Sequence, residues 1–200
     1  MKSNLGLPRE EKNVFCFEKL AVSGGSASPT MTTVFLCYAH VDNISDNPKE
    51  RWVDRLNEML APIVRQDSIR VWSDLDIDIG QDWHSRIQAQ LLEARAVVLF
   101  VSPAFLASDY IANSELPVLL HRAKTTGAEI CPILLSPCLW DEAVYHFPDP
   151  VLGPNTLNLS SLQAVNTPTR TMIEATEAQQ NRALMGVAKH VRAALTRPQR

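Results

Sequence analysis

Two hundred residues, 46% of them apolar, are enough for one core of ordinary size with appendages. A formal charge of −3 and a pI near 5.9 argue against non-specific binding to nucleic acid or to an anionic membrane. The one dense basic cluster, Arg192, Arg197 and Arg200, reads as a solvated tail. No apolar run approaches the roughly 20 residues of a membrane span, and Arg9, Glu10, Glu11 and Lys12 interrupt any signal-peptide core. Cys16, Cys37, Cys131 and Cys138 form no CxxC pair and have no His at metal spacing. The expectation is a cytoplasmic protein with buried, reduced thiols and no metal.

In chain order, residues 1–30 read as a flexible extension, with a Gly/Ser linker over residues 24–29. Val14-Phe15-Cys16-Phe17 within it reads either as a small strand or as a docking segment. Order begins at Val34-Phe35-Leu36-Cys37-Tyr38, an apolar run short enough for a buried strand. It ends in the polar loop Ala39-His40-Val41-Asp42-Asn43. Asn47-Pro48-Lys49-Glu50 then predicts a helix start, with Asn as cap and Pro at the first helical position. Trp52, Leu56, Met59, Leu60 and Ile63 supply that helix with one buried face. Ile69-Arg70-Val71-Trp72 predicts a second strand, followed by an acidic loop over residues 73–80. Trp83, Ile87, Leu91 and Ala94 mark the stripe of a second helix.

Residues 96–101 predict the third strand. Ser108 before Asp109 predicts the cap of a helix running to about Lys124 and ended by Thr125-Thr126-Gly127. That helix carries a single acid, Glu115, just before Leu116-Pro117; the proline donates no N–H and crowds the carbonyl of Asn113. Residues 130–135 predict a fourth strand, with Pro132 placing it at an edge or near its start. A helical turn is expected at residues 140–145 and a short fifth strand at residues 156–159. From Glu174 onward, Leu184, Val187, Val191 and Leu195 mark a last amphipathic helix.

Apolar strands alternating with helices predict an α/β fold: a five-stranded parallel sheet covered on both faces. In such sheets ligands sit beyond the carboxyl ends of the strands, where the strand order reverses. The loops after Tyr38, Trp72 and Val101 therefore hold the candidate residues. The expected domain comprises residues 31–165, with residues 166–200 closing it through the last helix.

Several chemistries are excluded. No GxGxxG follows a strand, no P-loop is present, and no Ser lies in GxSxG. The acidic loop Asp74-Leu75-Asp76-Ile77-Asp78 fails as a calcium loop, because Ile79 and Ser85 stand where Gly and Glu are required. As a haloacid-dehalogenase-type nucleophile it lacks the following Thr or Val and later paired acids for magnesium. A solvated turn bending at Gly80 is the simpler reading. Alone, His40 reads as an exposed loop histidine, Trp83 as core, Asp42 as a loop-backbone ligand and Glu115 as a solvated helix acid.

Their combination carries more. The run from Val34 to Asp42 resembles the first box of Toll/interleukin-1 receptor (TIR) domains. Trp72-Ser73-Asp74 through Gly80 and Trp83 is similar to the second box and its loop. Phe105-Leu106-Ala107-Ser108-Asp109-Tyr110 with Glu115-Leu116-Pro117 resembles the third-helix region of bacterial members, and the run from Cys131 to Trp140 resembles their fourth strand.

The resemblance implies a flavodoxin-like sheet. It further implies NAD+ glycohydrolase activity, activated by self-association in bacterial defence or signalling, with NAD+ as substrate and no cofactor. Carried over by position, Glu115 is the catalytic acid. Tyr38, Ala39, His40, Asp42, Asp74, Gly80, Trp83, Tyr110 and Ile111 are the expected substrate-binding residues. Ile111 stands where members often carry an aromatic or Cys, and Ala39 where Ser is common. The alternative within the family is a non-catalytic interaction module pairing with like domains.

Overall fold

The structure, a computed structural model, describes residues 32–67, 69–73, 83–148 and 155–197. Four parallel strands form its centre: β1 (Thr32–Cys37), β2 (Ile69–Trp72), β3 (Ala94–Val101) and β4 (Glu129–Leu134), in the spatial order β2-β1-β3-β4. The chain thus returns to the far side of β1 after β2, which places the reversal of strand order between β1 and β3.

Both faces of this sheet are covered, as uniformly apolar strands require. Alternation along β1 sends Val34, Leu36 and Tyr38 to one face, against Trp52, Leu56 and Leu60 of α1 (Trp52–Asp67) and Leu184, Val187 and Val191 of α5 (Glu177–Thr196). Phe35 and Cys37 go to the other. There they meet Ile87 and Leu91 of α2 (Trp83–Glu93) and Leu116, Leu119 and Leu120 of α4 (Leu116–Thr126). The buried stripe of α5 falls on the predicted residues.

Several expectations need correction. The fifth strand forms, as β6 (Asn155–Asn158), but pairs antiparallel with β5 (Val144–Phe147) in a separate two-stranded sheet. The predicted helical turn is a turn over residues 140–142 that leads directly into β5. The outer edge of β4, where a fifth parallel strand would pair, is satisfied otherwise. Pro132 has no N–H to offer there, and its carbonyl accepts from Val165 N at 2.9 Å. The Asn166 amide bonds both Leu134 N and Leu134 O at 2.8 Å, and Leu134 O also accepts from Met172 N at 2.9 Å. An irregular segment thus does the work of a strand.

Asn47 does cap, but it caps a 3-10 turn over Pro48–Glu50. The first helix starts at Trp52, where Asn43 Oδ1 accepts from Val53 N at 3.0 Å and Asp54 N at 3.4 Å. Ala94 belongs to β3 rather than to the second helix. The last helix starts at Glu177 behind a capping box of Thr176 and Gln179. Gly127 ends α4 at φ 71°, a left-handed position that suits glycine.

Candidate functional site

A hydrogen bond joins the segments that follow β1 and β3. Asp42 lies in a 3-10 turn, His40–Asn43, closed by Asp42 N donating to Ala39 O at 2.9 Å. Its Oδ2 accepts from Ser102 Oγ at 2.6 Å. The same Oγ accepts from Phe105 N at 3.0 Å and so caps α3 (Pro103–Ala107). Burial raises the Asp42 carboxyl above the ordinary range, and the Ser102 bond opposes that shift.

Beyond α3 the chain starts again at Ser108, whose Oγ accepts from Ile111 N at 3.3 Å and whose carbonyl accepts from Ala112 N at 3.0 Å. The predicted cap is therefore real, although α3 precedes it. The helix then widens into a π-turn, Ile111–Glu115, closed by Leu116 N donating to Ile111 O. Pro117 follows at once. Its ring crowds the carbonyl of Asn113 in a regular α-ladder, and an expanded turn relieves that crowding.

Glu115 is the last residue of the π-turn and is buried. Its residue is 5% exposed, and Cys37 Sγ donates to its Oε2 at 2.9 Å. A carboxylate taken out of water needs such donors. Tyr145 of β5 shares this core: burial raises its phenol, with the Cys37 and Cys138 thiols adding to the effect. Cys138 is itself raised, first by burial, with Asp141 and Asp42 contributing and a Trp140 backbone bond opposing. Cys131 lies in the opposite core and is pushed up to about 12, chiefly by burial. It is an inert structural thiol.

The predicted site residues divide. Glu115, Ile111, half-buried Tyr110 and half-buried Ala39 share the α2/α4 side of the sheet. Asp42 sits where the segments that follow β1 and β3 are joined. Tyr38 packs into the opposite core, edge-on to Phe100 at 6.4 Å, with exposed His40 against its ring at 5.7 Å. Asp74, Gly80 and the side chain of Trp83 lie outside the described residues. Among the described residues no group of three or more His, Cys, Asp or Glu side chains could hold a metal ion.

Sequence reasoning passed over Cys37, Ser102 and Tyr145. The Ser102-Pro103 pair is a cap followed by proline at the first helical position, a signal sufficient to find α3. Cys37 follows from alternation, being one residue from Tyr38 at the carboxyl end of β1. Tyr145 carries no local signal, because its place depends on a hairpin formed far along the chain.

A buried acid at the carboxyl end of a parallel sheet can stabilise positive charge that develops on a bound ligand. A family model described as TIR domain matches residues 34–180. The chain is also similar to uncharacterized protein y4lF of Sinorhizobium fredii (strain NBRC 101917 / NGR234), with 32% identity over 115 residues. That alignment covers 58% of this chain and 33% of the relative, so the chain spans about a third of the protein it matches.

Proposed function

The chain belongs to the TIR domain family, and on that premise we propose that it cleaves NAD+ at the nicotinamide–ribose bond, with Glu115 as the catalytic carboxylate. The observation that carries this reading is the placement of Glu115: a buried acid past the third strand, set by a π-turn and held by Cys37. Substrate contacts are assigned to Ala39, His40 and Asp42 after β1, to Asp74, Gly80 and Trp83 after β2, and to Tyr110 and Ile111 beside the acid; Tyr38, packed in the opposite core, is not among them.

One carboxylate is enough for the step. The bond from the ribose C1′ to the nicotinamide nitrogen breaks with its electron pair going to the ring, which leaves neutral from a cationic start and needs no proton. The sugar passes through an oxocarbenium-like state, which a nearby carboxylate stabilises. Water adds to C1′ and passes its proton to Glu115 and then to solvent, giving ADP-ribose. Attack by the adenine of the same molecule gives a cyclic product instead.

One observation favours the other reading, an interaction module without catalysis: at 5% exposure, Glu115 is closed off in the single chain. Incubation with NAD+ and measurement of free nicotinamide separates the two. Glu115→Gln is expected to lose at least about 100-fold in kcat, the scale for removing a group aimed at transition-state charge. Asp74→Asn, which alters only an assigned substrate contact, is expected to raise KM and keep kcat. Intact NAD+ even with concentrated protein supports the module, and magnesium-dependent phosphate release from a phosphate monoester would favour the haloacid-dehalogenase-type reading of Asp74 and Asp76.

A further inference from the structure

We propose that Cys37 is a positioning residue for Glu115, its thiol fixing the carboxylate for the reaction; this rests on the reading of Glu115 as the catalytic acid. The two residues are 78 positions apart, and only the fold brings them together, at 2.9 Å between Sγ and Oε2.

Cys37 is suited to the task by its platform. It is the last residue of β1, an interior strand hydrogen-bonded to β2 on one side and β3 on the other, in register with Leu99. Its side chain belongs to a packed core shared with its register partner Leu99 and with Tyr145, at 1% exposure. A donor on such an element moves little, whereas Glu115 sits on a π-turn, the less regular partner. The strand therefore sets the geometry and the turn follows it.

The chemistry of the donor matters as well. A thiol is a weak hydrogen-bond donor. It directs one carboxylate oxygen without withdrawing as much electron density as a hydroxyl or ammonium would. Electron density is what a carboxylate must keep if it is to stabilise a cationic sugar. Burial makes Cys37 a poor target for oxidants, so the role assigned is hydrogen bonding, not thiol chemistry.

The test combines kinetics with spectroscopy on the full chain. For Cys37→Ala, kcat on NAD+ should fall about tenfold, the scale of a modest misplacement of a reacting group, while KM stays within about twofold. The acid limb of its kcat profile should move to higher pH, because a buried carboxylate that has lost a donor takes up a proton more readily. Cys37→Ser should recover most of kcat and bring the limb back to the wild-type position or slightly below it, since a hydroxyl is the stronger donor. A Cys37→Ala enzyme with wild-type kcat and an unmoved acid limb overturns the proposal, and so does a loss that Cys37→Ser fails to rescue. Infrared spectroscopy gives a readout independent of turnover. The S–H stretching band of Cys37, isolated as the wild-type minus Cys37→Ser difference, should move to higher wavenumber in Glu115→Gln. An unmoved band means the thiol does not hold the carboxylate. If the band moves but wild-type protein releases no nicotinamide, the NAD+ reading fails, and the positioning role fails with it.

Discussion

Ser102 Oγ serves two partners: it donates to Asp42 and accepts from the first turn of α3. Ser102→Ala therefore removes a helix cap, costing about 1 kcal/mol, and leaves a partly buried carboxyl without its donor. The second loss depends on pH. Burial raises the folded-state value of Asp42, so the folded chain holds that proton more tightly than the unfolded chain does. Stability from this source is fully present below the ordinary aspartate range and is lost as pH rises through the folded value. The Ser102 bond limits that loss. Urea midpoints at pH 4 and pH 7 should show Ser102→Ala destabilised at both and more so at pH 7; equal losses would mean that only the cap matters. At this scale the sequence was partly legible. Glu115 stood out because Pro117 marks its helix, and Asp42 because it follows a strand. Cys37 was read only as a buried thiol, since nothing local in the sequence announces a contact made 78 residues away.

Elements were legible where one physical signal dominated. β1 to β4 are near-continuous apolar runs, and α5 has a clean buried stripe with caps. Misreadings arose where partners decide. Residues 155–158 form a strand in either arrangement, but the β4 edge is taken by Asn166 and its neighbours and the strand pairs with β5. The helix carrying Glu115 is the instructive case, because a predicted disturbance at Pro117 takes the form of an expanded turn before it. Pro117→Ala returns an N–H that can bond the carbonyl of Asn113, so a regular ladder becomes available through residues 111–117. Closing up a π-turn shifts the register by one residue, a rotation of about 100° from helix geometry, which turns Glu115 away from Cys37. The variant should melt no lower than wild type and release nicotinamide about tenfold more slowly, the scale of a misoriented group. Unchanged turnover would show that the turn does not aim the carboxylate.

For the whole molecule, two cores sandwich one sheet, and the site lies where loops from β1 and β3 meet at its carboxyl end. Among the described residues no helix is long and apolar enough to cross a membrane. Two features of the single chain bear on the proposed turnover. Glu115 is almost closed to solvent, while Val41 and Ile44, on the loop after β1, are 63% and 76% exposed. TIR domains commonly self-associate, and this exposed apolar loop tip offers a surface to a neighbouring copy. If a second copy is needed to open or complete the site, the rate at low protein concentration rises with the square of that concentration, because active pairs form by mass action. Specific activity should then climb over a dilution series and level off once association saturates. Ile44→Asp places a charge on the exposed tip without touching either core; it should keep the wild-type melting temperature and shift the climb to higher concentration. Nicotinamide release strictly proportional to protein from the highest dilution, in wild type and variant alike, would mean that one copy works alone. The closed carboxylate would then have to open by motion within the single domain.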